Sequence, residues 1–241
     1  MKKTAGLLLL FGLGLAAADF WQKPYLEWSD KDTAKMLTNS PWAKSVSVSA
    51  SVPGGAGGAP PIAPDGAGGG GGGGFGGHGG PQGGGGSEFG PGAPGSAPPS
   101  IDVVARWQSA LPIRQAFVRL KFGAEADKSA EAAKVLEQQE RPYEIVLSGP
   151  MGMFLGGKPG DAAKALSEVS FLSSRRTGEI KAVQIEVGKP GKTMDVVFAF
   201  PRSMPFTVED KEVELVTKLG TSTLKYKFKL KDMVLNGKLE M

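Results

Sequence analysis

The sequence contains no cysteine and only one histidine among its 241 residues. Without cysteine the chain can form no disulfide, offers no thiolate and cannot carry a lipid on an N-terminal cysteine. The single histidine, His78, lies inside a glycine tract, where no base or carboxylate can be held around it. A Ser-His-Asp or Cys-His catalytic site and a His/Cys zinc site are therefore excluded. We expect no catalytic residue, no cofactor and no metal.

The chain also has little net charge and no apolar run long enough to span a membrane. The formal net charge is only +4, which is too small for the dense basic face of a nucleic-acid-binding protein, so we expect no nucleic-acid partner. The main apolar stretch, Ala5–Leu15, is shorter than the roughly 20 residues that a transmembrane helix needs.

The same apolar stretch has the pattern of a signal peptide. Two lysines precede it and three alanines follow it, which predicts that residues 1–18 are removed by cleavage before Asp19. The protein is therefore expected to be exported, to the periplasm or out of the cell. Membrane contact is expected only if this segment stays attached as an anchor.

Residues 53–100 form a low-complexity tract. They hold more than half of the chain's 37 glycines and half of its 18 prolines. So little apolar surface cannot offset the entropy cost of ordering the backbone, and the tract is predicted to be a disordered Gly/Pro-rich tether. It separates an aromatic-rich N-terminal segment, residues 19–52, from a globular domain, residues 101–241, that is long enough to form a hydrophobic core.

The N-terminal segment is predicted to contain a helix and a strand. Ser29 followed by Asp32 is typical of a capping box and predicts a helix over Asp30–Leu37. From Lys44 to Val52 serine alternates mainly with valine, which predicts a strand with one apolar face. So small a unit cannot bury its aromatic surface alone. We expect it to dock through four side chains: Trp21, Tyr25, Trp28 and Trp42.

Three docking surfaces are open to this segment. It can pack on the chain's own globular domain, with its strand extending that domain's sheet. It can instead bind another envelope protein by adding a strand or a helix to it. A contact of the tryptophans with a membrane surface is the third alternative. The sequence does not determine the oligomeric state.

The globular domain is predicted to have an α+β fold, with a mainly antiparallel sheet and two or three helices on one side. Hydrophobic periodicity predicts helices over Ile113–Leu120, Ser129–Gln139 and Asp161–Ser167, and strands over Ile101–Trp107, Tyr143–Leu147, Val169–Ser173, Ile180–Val187, Met194–Phe200, Val213–Leu219, Leu224–Lys231 and Val234–Glu240.

One loop comes close to a phosphate-binding pattern. Gly152–Lys158 follows a predicted strand and precedes a predicted helix. The residue after the lysine should be serine or threonine, which binds Mg²⁺, but it is Pro159, which also removes a backbone donor. We interpret the segment as a Gly/Pro loop.

Charged residues cluster in three places. Lysine alternates with apolar residues over Leu224–Lys231, which favours a strand with a solvated face or a lysine-protected edge over an anion-binding stripe. The acidic residues Glu209, Asp210, Glu212 and Glu214 follow Thr207 and are interpreted as a solvated turn. The pair Arg175-Arg176 is interpreted as an exposed turn.

Several phrases resemble a family of exported bacterial proteins to which no activity is assigned. They are KPYLEWSDKD (23–32), MLTNSPWAK (36–44), RWQSALPIRQ (106–115), DKEVELVTK (210–218) and KFKLKDM (227–233). The resemblance covers both parts of the chain outside the tether. It implies export and a shared two-part design, and it transfers no catalytic residue.

The leading hypothesis from the sequence is a non-enzymatic, exported binding or structural protein of the envelope with a tethered aromatic docking segment. The alternative is a small-ligand carrier or an enzyme whose pocket lies between the sheet and the helices of residues 101–241. A pocket in which Arg106, Arg114 or Arg175 faces carboxylates would favour the alternative. A filled sheet face with the tryptophan segment docked on it would favour the leading hypothesis.

Overall fold

The computed structural model describes residues 19–49, 100–137, 141–155 and 157–241. The predicted signal peptide and nearly all of the predicted tether lie outside the described residues. Within the described ranges there are four α-helices and eleven strands, and the strands pair antiparallel throughout. This confirms the predicted α+β class. None of the helices in these ranges is long and apolar enough to cross a membrane.

The elements follow one another in an order close to the predicted one. The helices are α1 (Asp30–Thr38), α2 (Leu111–Phe122), α3 (Ala130–Glu137) and α4 (Pro159–Val169). The strands are β1 (Ala43–Ser49), β2 (Ser100–Trp107), β3 (Tyr143–Gly149), β4 (Phe171–Ser174), β5 (Gly178–Lys181), β6 (Gln184–Val187), β7 (Met194–Phe200), β8 (Glu212–Leu219), β9 (Ser222–Lys229), β10 (Val234–Leu235) and β11 (Lys238–Leu239).

Most strands belong to two sheets that enclose the core. The first sheet has the order β1-β2-β3-β7-β6, the second has the order β5-β4-β8-β9, and β10 pairs with β11 in a small separate hairpin. One face of each sheet is buried, because apolar residues occupy every second position. The hydroxyl of Tyr226, in β9, donates a hydrogen bond of 3.2 Å to the backbone carbonyl of Val103, in β2, and so links the two sheets.

Two sheets replace the single sheet that the sequence predicted, and two predicted strands are wrong. Val234–Glu240 divides into β10 and β11, which pair as a hairpin. The segment Ile180–Val187 is not continuous. Its first part lies in β5 and pairs with β4, whereas its second part is β6 and pairs with β7. The chain changes sheets at Ala182 and Val183, whose backbone N–H groups donate to Ser170 and Ala199 respectively. Hydrophobic alternation along the sequence does not reveal this change of sheet, because both parts of the segment turn one face towards the core.

The N-terminal segment packs on the chain's own domain. Its helix, α1, begins with the predicted capping box, in which Ser29 and Asp32 exchange hydrogen bonds of 3.1 Å. All seven residues of β1 pair with β2, from Ala43 opposite Arg106 to Ser49 opposite Ser100. The strand is therefore the edge of the first sheet, and the core includes side chains of the N-terminal segment.

Candidate functional site

The four aromatic residues predicted to dock divide into two pairs. Trp28 and Trp42 are fully buried, whereas Trp21 and Tyr25 are half-buried. The indole Nε1 of Trp42 donates to the carbonyl of Glu240 at 2.8 Å, and the backbone carbonyl of Trp28 accepts a hydrogen bond of 3.2 Å from Arg119 Nε. The first pair serves the core of this chain, and the second pair lies at its surface.

A groove of about 830 Å³ lies on the outer face of the second sheet. Its lining comes from four places: the end of β4, the turn before β8, the first part of β8, and the last part of β9 with the residues that follow. In the adjacent strands β8 and β9, Glu212 lies opposite Lys229 and Glu214 lies opposite Lys227. Most side chains along its wall are charged.

Positive charge exceeds negative charge around the groove. Five cationic side chains line it: Arg175, Lys211, Lys227, Lys229 and Lys231. Lys227 lies 4.0 Å from Glu214. Among the residues that the structure describes, the other four cations take part in no ion pair within 4.0 Å. The groove therefore presents cations that are free to meet an anion from outside.

Asp210 fixes one wall of the groove. Its side chain is completely buried, and it accepts hydrogen bonds from Arg176 (2.8 and 3.2 Å), Ser174 (2.5 Å), Thr177 (3.0 Å) and the backbone N–H of Thr207 (2.8 Å). Burial opposes ionisation of this carboxyl, but the hydrogen bonds, led by that from Arg176, outweigh it and lower its pKa to about 2. The carboxylate thus stays charged and joins the turn after β4 to the turn before β8.

Two groove cations flank this ion pair in the sequence. Arg175 precedes Arg176, and Lys211 follows Asp210. The ion pair draws the two turns together and so places Arg175 and Lys211 at the same groove. The sequence did not reveal this. The acidic cluster was predicted to be a solvated turn, which is wrong for Asp210 because its carboxylate is buried.

The backbone of Lys211 is strained. Its φ is 61° and its ψ is −54°, a region that side chains with a Cβ rarely occupy and that corresponds to a tight γ-turn. The carbonyl of Lys211 accepts a 2.8 Å hydrogen bond from the N–H of Leu230, just after β9. This contact holds the strained turn against the end of the lysine-bearing strand.

The other arginines singled out from the sequence lie elsewhere. Arg106 donates to Ser148 Oγ at 2.8 Å, and Ser148 in turn donates to Asp195 on the first sheet. Arg114 donates to the backbone carbonyls of Val135 and Leu136, which anchors α3 to α2. Of the three arginines, only Arg175 lines the groove.

The glycine loop that resembles a phosphate site forms a short 3-10 turn over Met151–Met153 before α4 begins at Pro159. Met151 is buried and Met153 is exposed. Within the described residues, no group of three or more His, Cys, Asp or Glu side chains is arranged to hold a metal ion.

A second cavity of about 560 Å³ lies beside the N-terminal segment. It is lined by residues of the 3-10 turn Phe20–Gln22, of α1 and the turn that follows it, and of the stretch after β9, among them Trp21, Gln22, Lys35 and Asn39. Lys231 lines both this cavity and the groove. The two cavities therefore share one lining residue.

Comparison of the chain with protein-family models, with curated proteins and with solved structures found no match in any of the three.

Proposed function

We propose that this chain is an exported, non-enzymatic binding protein that holds an anionic ligand in the groove on its second sheet. The observation that carries the proposal is the convergence of four cationic side chains without an ion-pair partner among the described residues: Arg175, Lys211, Lys229 and Lys231. They come from three separate parts of the chain. Cations that line one concave surface attract anions more strongly than the same cations spread over the protein.

The state of Asp210 supports binding rather than catalysis. A general base has to be free to accept a proton from a substrate at working pH. The carboxylate of Asp210 is committed to donors of its own protein, and its pKa is about 2. Its place in the proposal is to hold the groove in shape.

The docked N-terminal segment supports a structural role for its two buried tryptophans. Recognition of another envelope protein through Trp28 and Trp42 would require both side chains to leave a core in which they are fully buried. The alternative from the sequence was a carrier or enzyme with a pocket between the sheet and the helices. The proposal shares with it the binding of a ligand, but places that ligand in a groove on the outer face of the second sheet. Export remains part of the proposal on the ground of residues 1–18.

The proposal is tested by titrating the mature chain, residues 19–241, with inositol hexakisphosphate, a compact polyanion. Calorimetry at low and at physiological salt should detect binding that weakens as salt is added. The double variant Lys211→Ala/Lys229→Ala should bind about tenfold more weakly, because two charge contacts are lost.

The matched control is Lys225→Ala. Lys225 is exposed on the same face of β9 but does not line the groove. Lys225→Ala removes one positive charge, as Lys229→Ala does by itself. An equal loss of affinity in these two single variants would indicate diffuse attraction and would overturn the proposal. Failure of the mature chain to bind the probe at low salt would overturn it as well.

A further inference from the structure

The groove and the second cavity share one lining residue, Lys231. Lys231 follows β9, the strand that carries Lys227 and Lys229 of the groove. A ligand long enough to pass Lys231 would contact the two cavities together. Such a ligand gains affinity from its second contact, because the first contact raises the local concentration of the remainder.

The second cavity differs in chemistry from the groove. It adds two lysines, Lys35 and Lys44, but also two carboxylates, Asp19 and Asp232. Its sides therefore offer both donors and acceptors, together with the amides of Gln22 and Asn39. A surface of mixed sign suits a ligand that presents neutral hydroxyl groups as well as charges.

Trp21 gives this cavity an aromatic side chain. Its ring packs edge-to-face against buried Trp42, with centroids 6.1 Å apart, and against Phe20 at 5.0 Å. Lys35 lies over the ring of Phe20, with its Nζ 5.4 Å from the centroid. The π face of an indole is negative and attracts the slightly positive C–H face of a sugar ring. Because Trp42 fixes the orientation of Trp21, little side-chain entropy is lost on binding.

We propose that one linear acidic polysaccharide occupies the groove and the second cavity together, a proposal that rests on the binding function argued above. Its carboxylates would meet the cations of the groove, and its sugar rings would meet Trp21, Gln22 and Asn39. Lys231 joins the two halves. Double-stranded DNA, with one charge per roughly 1.7 Å of axis, would bring closely spaced phosphates against Asp19 and Asp232, whereas a uronic-acid chain carries at most one charge per ring.

The test measures binding of the mature chain to short and long oligogalacturonates. The affinity should rise with length until the oligomer spans both cavities. Lys229→Ala should weaken binding of short and long oligomers. Lys35→Ala and Gln22→Ala, both at exposed positions, should weaken only the long ones, by about two- to fivefold each. Lys225→Ala is again the control and should leave both affinities unchanged.

The outcomes separate this proposal from the one on which it rests. If Lys229→Ala weakens binding but Lys35→Ala and Gln22→Ala have no effect at any length, the groove binds anions and occupation of both cavities by one ligand is refuted. If single-stranded DNA or vesicles of anionic lipid bind more tightly than the long oligogalacturonate, the polysaccharide assignment is refuted. If neither inositol hexakisphosphate nor any oligomer binds, both proposals fall.

Discussion

The indole Nε1 of Trp42 donates a hydrogen bond of 2.8 Å to the backbone carbonyl of Glu240, a residue 198 positions away in the sequence. Immediately after Trp42 the chain enters β1, and the N–H of Trp107 bonds the carbonyl of Trp42 at 2.8 Å. A single residue thus joins the N-terminal segment to the first sheet and to the end of the described chain. The segment is held by a buried side chain as well as by strand pairing.

Replacing this indole should destabilise the protein. Trp42→Phe removes buried volume and the N–H donor together, and should lower the free energy of unfolding by about 2 kcal/mol. Urea denaturation of the mature chain measures the change. Val183→Ala, at an exposed position, should stay within about 0.5 kcal/mol of the natural protein. Equal effects of the two variants would contradict the structural role of Trp42.

Stability should fall in acid because of Asp210. The pKa of this carboxyl is lowered from 3.8 to about 2 in the folded protein. Folding therefore favours its charged form, and the contribution is present above about pH 4 and is lost as the pH falls towards 2. The Arg176 side chain is half-exposed, so solvent weakens its attraction to Asp210. We therefore expect the charged carboxylate to contribute about 1–2 kcal/mol to the free energy of unfolding.

The measurement is urea denaturation at several pH values between neutral and acid. Asp210→Asn should be less stable at neutral pH and should show a shallower loss of stability with acid than the natural protein. Glu209→Gln, at the exposed neighbouring position, is the matched control and should preserve the steep loss. An unchanged acid dependence in Asp210→Asn would show that this carboxyl does not carry it.

Lys211→Gly should make the protein more stable and weaken its binding. Glycine adopts a φ of 61° without a Cβ penalty, so relief of strain should add about 0.5–1 kcal/mol to the free energy of unfolding. Loss of the lysine should weaken binding of inositol hexakisphosphate. Lys211→Ala keeps the strain and removes only the charge, so it should weaken binding without the gain in stability. A destabilised glycine variant would show that this backbone is not strained.

Two glycines should respond in opposite ways to alanine. A Cβ on Gly149 would lie 2.8 Å from the carbonyl oxygen of Asp102 and 3.3 Å from Cα of Val103, so Gly149→Ala should force β2 and β3 apart and cost about 2–4 kcal/mol. A Cβ on Gly160, in the first turn of α4, would meet nothing within 4 Å, so Gly160→Ala should stabilise the helix by about 0.5–1 kcal/mol. Thermal unfolding of the two variants should move in opposite directions.

Local patterns allowed much of the fold to be predicted. The alternation in Met194–Phe200 predicted β7 with the bounds that the structure has, and the capping box placed the start of α1 correctly. Such signals depend on residues that are neighbours in the chain, where sterics and hydrogen bonding act directly. The division into two sheets was not predicted, because the buried face of a strand looks the same whichever sheet it joins.

The candidate site was harder to predict. Lysine alternation over β9 indicates a solvated face or edge, and the sequence around Arg175 indicates only an exposed turn. Nothing in the sequence connects Arg175 with Lys211, which lie 36 positions apart. Their proximity follows from the ion pair between Arg176 and buried Asp210. The periodicity of a sequence does not predict which acidic residue a given arginine will pair with.

By itself the sequence determined the α+β class, the strand of the N-terminal segment and the absence of thiol chemistry, because these depend on residue types and short-range spacing. Only the tertiary structure decided that Trp28 and Trp42 are buried in the core, that Asp210 is buried and that Lys231 lies between two cavities. These facts depend on contacts between distant parts of the chain. Such contacts are fixed by packing and desolvation over the whole domain, which short-range patterns do not contain.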